Sequence, residues 1–174
     1  ARPDSVLNKV SVYRARLRMG QNLAKKIKKL HPDLDVDIVV PAPESAATAA
    51  LSCAHELRVR YTQALVKNHF IGRTFIMPGQ KVRRRANQFK LSPLIHEIKG
   101  KNILIVDDSI VRGNVSRHIV KLLKDSGAKK VYFASASPPL RYPDLFGIDL
   151  PTSDEYIAFN KTEEEIRQSI GADI

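Results

Sequence analysis

The sequence has few of the residues from which several common kinds of site are built. Its single cysteine, Cys53, excludes an internal disulfide, and the alanine and leucine residues around it favour a buried structural thiol over a nucleophile. The five histidines lack the spacing of a zinc site. Aromatic residues make up 6% of the chain and do not alternate with basic ones, so a platform for stacking nucleic-acid bases has little support.

Long apolar runs are also missing. No stretch approaches the length of a membrane span, and no signal-like apolar stretch opens the sequence. With 174 residues, 43% of them apolar and 27% charged, the chain has the composition of an ordinary globular domain. We therefore expect one cytoplasmic domain that makes no contact with a membrane.

Positive charge is in clear excess, with 29 Lys and Arg against 18 Asp and Glu and a net charge of +11. Such an excess is typical of proteins that bind nucleic acids or small anionic ligands. One basic group lies within a helical pattern and indicates a solvated helix face: Lys25, Lys26, Lys28 and Lys29. A second group lies close behind a Pro-Gly turn, so a solvated helix face does not explain it: Lys81, Arg83, Arg84 and Arg85. A polyphosphate ligand needs such charge as much as a nucleic acid does.

The order of the patterns predicts an α/β fold with a central parallel sheet flanked by helices. We expect helices at 12–30, 46–57 and 116–126, and strands at 36–40, 64–66, 103–106 and 131–136. Gly127 is expected to cap the third helix. A long loop from 67 to about 91 has no clear periodicity, and such loops are usually functional or disordered.

The most informative segment is ILIVDDSIVRGNVS, residues 103–116. Four apolar residues lead into Asp107 and Asp108. This pattern is typical of a strand that is buried on both faces and then reaches the surface. The loop from Ser109 to Ser116 precedes a helix, so its backbone amides can bind a phosphate. Carboxylates repel phosphate, so the two acids would suit sugar hydroxyls, Mg²⁺, or both. The alternative is that they only cap the helix.

Two further features would complete a site. The turn from Pro41 to Ser45 also follows a strand, and ligands bind at the carboxyl ends of parallel strands, so both turns should face one site. The alternative for Glu44 and Ser45 is a simple helix cap. The long loop could close over a pyrophosphate and exclude water with basic residues that include Lys67, Arg73, Lys81, Arg83 and Arg84. The alternative there is a flexible surface excursion.

VDDSIVRG resembles the phosphoribosyl pyrophosphate signature of type I phosphoribosyltransferases. Six further stretches narrow the resemblance to glutamine phosphoribosylpyrophosphate amidotransferases: ARPDSV from Ala1, VYRARLRMG from Val12, PAPESAATAAL from Pro41, KNHFIGRTFIMPGQ from Lys67, GAKKVYFASASPP from Gly127 and FGID from Phe146. They are spread along nearly the whole chain, from Ala1 to Asp149. The resemblance implies the type I phosphoribosyltransferase fold, with the long flexible loop over the site.

The resemblance also implies roles for residues. Asp107, Asp108, Lys67 and Arg73 are expected to be catalytic, and Ser45 is expected to bind Mg²⁺ together with the two acids. The substrate-binding residues are expected to be Glu44, Ser45, Lys67, Arg73, Arg83, Arg84, Asp107, Asp108, Ser109, Arg112, Gly113, Asn114, Val115 and Ser116.

Two departures from the family pattern affect these expectations. Asn114 and Val115 replace hydroxyl residues of many relatives, so the phosphate site should depend more on backbone amides. Asp144 stands where some members have a cysteine that binds an iron-sulfur cluster, so no such cluster is expected.

The implied activity is transfer of the phosphoribosyl group of phosphoribosyl pyrophosphate to ammonia. The products are 5-phosphoribosylamine and pyrophosphate, in the first step of de novo purine biosynthesis. In the family, a separate N-terminal domain with a catalytic cysteine releases the ammonia from glutamine, and Ala1 stands where that cysteine would be needed. We therefore expect residues 1–174 to be a phosphoribosyltransferase domain without its glutaminase domain and truncated at its C-terminal end. Such a chain would use free ammonia at most, and not glutamine.

The resemblance further implies a homo-oligomer inhibited by purine nucleotides, with no nucleic-acid partner. Two alternatives stay open. One is another type I phosphoribosyltransferase acting on a base, although no base-binding hood is recognisable. The other is a regulator that binds phosphoribosyl pyrophosphate and has affinity for nucleic acid. It is disfavoured because the long loop keeps the residues needed to stabilise a leaving group.

Overall fold

A computed structural model of the protein describes residues 2–68, 91–143 and 153–174. Its strands and helices in chain order are β1 (Val6–Leu7), β2 (Val10–Ser11), α1 (Val12–Leu30), β3 (Ile38–Pro41), α2 (Ala47–Leu57), β4 (Arg60–Tyr61), β5 (Leu65–Lys67), β6 (Leu91–Pro93), α3 (Ile95–Ile98), β7 (Asn102–Asp107), α4 (Asn114–Asp125), β8 (Lys130–Ser135) and α5 (Glu163–Ile170). A 3₁₀ turn at Ser153–Glu155 precedes α5.

The centre of the fold is a four-stranded parallel sheet in the order β4, β3, β7, β8. Every residue of β7 is buried. Its side chains alternate between two cores: Ile103 and Ile105 pack in the cluster that contains α4 and α5 residues, whereas Leu104 and Val106 pack in the cluster of α1 and α2. The sheet is thus covered on both faces, which confirms the predicted α/β fold.

Helices α1 and α2 pack unusually closely. A Cβ atom on Gly20 would lie under 3.0 Å from the Ala49 carbonyl oxygen, so only glycine fits at this crossing. The lysines of α1 are exposed, as predicted for a solvated helix face. Cys53 of α2 is buried, and burial raises the pKa of its thiol to about 12, as expected of a structural cysteine. No helix among the described residues is long and apolar enough to cross a membrane.

Helix α1 has the predicted bounds and α2 begins one residue later than predicted, whereas the strands differ more. The expected strand at 36–40 is shifted to Ile38–Pro41. The strand expected at 64–66 is present as β5, but its expected place in the parallel sheet is wrong, because β5 pairs antiparallel with β6. The parallel neighbour of β3 on that side is instead β4, which begins two residues after the left-handed Arg58 at the end of α2. At this turn the chain returns to the sheet. The strand beside β3 therefore begins earlier in the sequence than the apolar pattern at 64–66 predicts.

Candidate functional site

Two turns leave the carboxyl edge of the sheet side by side. In the register of β3 and β7, Pro41 lies opposite Val106, and the Ala42 amide donates a hydrogen bond of 2.8 Å to the Val106 carbonyl oxygen. The turn after β3 and the acidic pair at the end of β7 are therefore neighbours, as the rule for parallel sheets predicts.

Asp107 lies inside strand β7 and not beyond it. The residue is 8% exposed, so the expectation that the strand reaches the surface at both acids is wrong for Asp107. One carboxylate oxygen accepts a hydrogen bond of 2.8 Å from the Asp108 amide. Burial raises the pKa of Asp107 to about 7, and the adjacent Asp108 charge acts in the same direction. A bound cation would favour the charged form of this carboxyl group.

The neighbouring strand fixes the backbone at the acidic pair. The Ala136 amide donates to the Asp107 carbonyl oxygen at 2.8 Å, and the Ser137 amide donates to the Asp108 carbonyl oxygen at 3.0 Å. Asp108 is partly exposed, and its carboxylate accepts a hydrogen bond of 3.4 Å from the Ser109 hydroxyl. The two carboxylates thus differ in burial although their backbones are equally well held.

The segment between β7 and α4, residues 109–113 and here named the β7–α4 loop, leads into a helix that begins two residues before the predicted start. Helix α4 starts at Asn114, so Ser116 lies inside its first turn and is buried. Its N-cap is Gly113, with φ of 72° and no side-chain cap, which disfavours the alternative that the acids cap this helix. Among the described residues, none accepts a hydrogen bond from the backbone amides of 109–116. Free amides at a helix N-terminus are suited to an anion.

Side chains of the signature segment are engaged with other parts of the protein. The Asn114 side-chain oxygen accepts a hydrogen bond of 3.0 Å from Arg117, and Arg112 forms an ion pair with Glu155. Val115 is exposed and offers only its amide. The donors that this segment can offer to an anion are therefore its backbone amides, the Ser109 and Ser116 hydroxyls and the Asn114 side-chain NH2 group.

The turn after β3 carries Glu44 and Ser45. A Glu44 carboxylate oxygen lies 3.2 Å from the Lys67 ammonium nitrogen at the end of β5. The Pro43–Glu44 peptide bond is cis. Helix α2 has Ala46 as its N-cap and no side-chain cap, which disfavours the alternative that Glu44 or Ser45 caps it.

Sequence reasoning missed two residues at these turns. Arg16 of α1 donates a hydrogen bond of 3.5 Å to the Ser45 carbonyl oxygen, and Glu155 contacts the β7–α4 loop through Arg112. The sequence contained a signal for Arg16, because this residue belongs to the VYRARLRMG stretch that carries part of the family resemblance. Glu155 stands 43 positions after its partner, with no local signal.

The remaining predicted residues lie outside the described part of the chain: Arg73, Arg83 and Arg84, with Lys81, Asp144 and the FGID stretch. In the described ranges, no group of three or more His, Cys, Asp or Glu residues could hold a metal ion. The expected Mg²⁺ set combines two such residues, Asp107 and Asp108, with the Ser45 hydroxyl. Its donors are all oxygen atoms, which is the chemistry that Mg²⁺ prefers.

No protein-family model matches the chain. Amidophosphoribosyltransferases from Pseudomonas aeruginosa and Saccharomyces cerevisiae are 50% and 52% identical to it, and in each case the match covers 99% of this chain and 34% of the relative. The chain thus spans about a third of the length of these curated relatives.

Solved structures give the same picture. Glutamine phosphoribosylpyrophosphate amidotransferase from B. subtilis, complexed with ADP and GMP, is 40% identical, with a TM-score of 0.85, over 99% of this chain and 37% of the solved one. A structure of the allosteric regulatory enzyme of purine biosynthesis matches with the same identity and TM-score over 99% of this chain and 36% of the solved one. Over nearly its whole length the chain is therefore similar to amidophosphoribosyltransferases, and it corresponds to about a third of the length of the matched members.

Proposed function

We propose that the protein binds phosphoribosyl pyrophosphate together with Mg²⁺ and transfers the phosphoribosyl group to ammonia, giving 5-phosphoribosylamine and pyrophosphate. One observation carries the proposal: the buried strand β7 ends at Asp107, and Asp108 follows directly before a loop whose backbone amides have no hydrogen-bond acceptor among the described residues. A ligand with a sugar between a phosphate and a pyrophosphate satisfies both parts. The names of the relatives support the same activity.

The 5′-phosphate would bind to the backbone amides of 109–116. The amides of 114–116 belong to the first turn of α4, where the helix dipole adds to their attraction for an anion. Gly113 supplies the left-handed backbone that joins the loop to the helix. The preference of this site for phosphate over uncharged groups would then depend on the number of its hydrogen-bond donors and not on the charge of its side chains.

The ribose hydroxyls would bind to Asp107 and Asp108. The same carboxylates, with the Ser45 hydroxyl, would hold Mg²⁺, which when bound supplies positive charge for the departing pyrophosphate. Fixing the sugar beside the sheet edge orients its anomeric carbon toward the incoming ammonia, and such positioning lowers the barrier without a covalent nucleophile.

Negative charge grows on the pyrophosphate as it leaves. Lys67 would neutralise part of this charge, together with Arg73, Arg83 and Arg84. Because Lys67 now contacts Glu44, the ligand would compete with that carboxylate for the ammonium group. Water would compete with ammonia for the anomeric carbon, so a covered site would favour the transfer.

The remaining parts of the proposal concern the whole protein. We assign residues 1–174 to a phosphoribosyltransferase domain that acts with a glutaminase domain, and we place the protein in the cytoplasm and in purine biosynthesis. Regulation by purine nucleotides is supported by a relative that was solved with ADP and GMP, whereas a homo-oligomer is proposed from the family resemblance alone. No iron-sulfur cluster is proposed.

The test is pyrophosphate release from phosphoribosyl pyrophosphate with ammonium and Mg²⁺. The variant Asp107→Asn with Asp108→Asn should lose this activity, whereas Asp125→Asn, at the exposed end of α4, should keep it. Supply of glutamine in place of ammonium should give no release. Equal rates in the double variant and the unmodified protein would overturn the proposal.

A further inference from the structure

The β7–α4 loop is held from behind by residues 153–159, here named the supporting segment. The Arg112 Nε atom donates a hydrogen bond of 2.7 Å to Glu155, and a second guanidinium nitrogen donates to the same carboxylate oxygen. A charge-assisted bond of this kind, with two donors, fixes the orientation of the arginine as well as its distance. The supporting segment therefore determines where the Arg112 side chain lies.

Two further contacts join the same elements. The Ile157 amide donates a hydrogen bond of 2.8 Å to the Val111 carbonyl oxygen. The Ile157 side chain is buried so close to Gly113 that a Cβ atom there would lie under 3.0 Å from it. The loop is thus attached at Val111, Arg112 and Gly113, three consecutive residues, to a segment that is anchored in the core at Ile157.

The ion pair is exposed enough to leave global stability largely unaffected. The Arg112 and Glu155 side chains are 53% and 37% exposed. Exposed pairs contribute little to the free energy of unfolding, because water screens the charges. Its effect should instead be local, on the position of the loop whose amides face the ligand. The guanidinium is already directed to Glu155, so Arg112 serves the site through the loop backbone.

We propose that Glu155 is a positioning residue for the phosphate site, acting through Arg112 to hold the amides of residues 109–113 toward the 5′-phosphate. The inference rests on the proposed function and adds to it a residue outside the signature. It also changes the role of Arg112, which joins the loop to the supporting segment and does not contact the phosphate.

Ribose 5-phosphate is the probe of choice, because it carries the 5′-phosphate and lacks the pyrophosphate. In titration calorimetry, Glu155→Gln should weaken its binding about three- to fivefold, the effect of losing an exposed ion pair. Glu155→Asp, which keeps the charge, should bind more tightly than Glu155→Gln. The matched control is Glu164→Gln, which removes the partner of another arginine, the partly buried Arg167, and should bind like the unmodified protein.

A charge swap separates the two roles of Arg112. Arg112→Glu alone should weaken binding, and Arg112→Glu combined with Glu155→Arg should restore it, because the pair is rebuilt with reversed charges. If Arg112 contacted the phosphate, the swap would leave a carboxylate there and binding would stay weak. In turnover with ammonium, Glu155→Gln should raise KM for phosphoribosyl pyrophosphate while kcat and the melting temperature stay unchanged, which a merely structural role would not produce.

The outcomes are distinct. If the unmodified protein binds ribose 5-phosphate and Glu155→Gln binds it equally well, the positioning role is overturned and the proposed function stands. The positioning role is also overturned if the charge swap fails to restore binding. If the unmodified protein binds neither ribose 5-phosphate nor phosphoribosyl pyrophosphate with Mg²⁺, the proposed function itself is overturned, and the inference with it.

Discussion

The ammonium nitrogen of Lys67 lies 3.2 Å from a carboxylate oxygen of Glu44, so the last residue of β5 contacts the turn that follows β3. This contact brings a positive charge to the sheet edge where the acidic pair ends β7. The side of the site that would receive the pyrophosphate therefore has the positive charge of Lys67, in addition to any charge that residues 69–90 would contribute.

Lys67→Met tests this charge. Removing a group that stabilises developing negative charge typically lowers a rate by about 100-fold, and we expect pyrophosphate release to fall by that order. Affinity for ribose 5-phosphate should be unchanged, since this ligand has no pyrophosphate. Lys25→Met, on the exposed face of α1, is the matched control and should leave both quantities unaffected. A normal rate in Lys67→Met would contradict the role of the ammonium group.

Gly113→Ala tests the close approach of the β7–α4 loop to Ile157. Gly100 provides the control, because it has nearly the same φ, 74° against 72°, and no atom within 4 Å of an added Cβ. Both substitutions should cost about 1 kcal/mol of unfolding free energy for the left-handed backbone, measured by urea denaturation, and Gly113→Ala should cost more because its methyl group also meets the buried Ile157 side chain. Only Gly113→Ala should also impair ribose 5-phosphate binding.

Shortening the neighbouring side chain should relieve that effect. Ile157→Val removes the Cδ1 atom that an added Cβ at residue 113 would meet first. The double variant should therefore bind ribose 5-phosphate better than Gly113→Ala alone. Equal binding in the two would show that the contact with Ile157 does not limit the loop.

Gly20→Ala should destabilise the protein through packing alone. Alanine normally favours a helix over glycine, yet here its methyl group meets the Ala49 backbone, and crowding of this kind costs about 1–3 kcal/mol. The free energy of unfolding in urea measures the effect. Gln21→Ala, an exposed neighbour on the same helix, should be neutral or slightly stabilising. A stabilised Gly20→Ala would contradict the close crossing of α1 and α2.

The raised pKa of Asp107 predicts a pH dependence of stability in metal-free protein. Because its pKa in the folded state, about 7, lies above the usual 3.8, the folded protein holds this proton more tightly than the unfolded chain. The stabilisation is complete below about pH 4 and is lost as the pH rises toward 7, by up to about 1.4 kcal/mol per pH unit.

Urea denaturation at several pH values in EDTA measures this slope. Asp107→Asn cannot titrate, so its unfolding free energy should change less between pH 5 and pH 7 than that of the unmodified protein. Identical slopes would contradict the burial of a titrating Asp107.

The sequence predicted those parts of the fold whose periodicity is local. Helix α1 was predicted from its spaced apolar residues, and β7 from its uninterrupted apolar run, which is typical of a strand buried on both faces. The proximity of the Pro41–Ser45 turn to the acidic pair was predicted from the rule that ligands bind at the carboxyl ends of parallel strands.

Other features depend on tertiary contacts that leave no local pattern. Strand β4 has two residues, too few for an alternation to be visible. The burial of Asp107 depends on elements that cover the end of β7, and the partner of Arg112 lies 43 positions away in sequence. The hairpin of β1 and β2 turns through left-handed Asn8 and Lys9, of which only asparagine is typical of such a turn.

Binding of phosphoribosyl pyrophosphate tests the central claim most directly, since it requires neither ammonia nor a glutaminase domain. We predict that calorimetric titration with Mg²⁺ gives saturable binding to the unmodified protein, and that EDTA or Asp107→Asn with Asp108→Asn weakens it at least about tenfold. Binding that is equally tight with Mg²⁺, with EDTA and in the double variant would contradict the claim that the acidic pair and Mg²⁺ together hold the ligand.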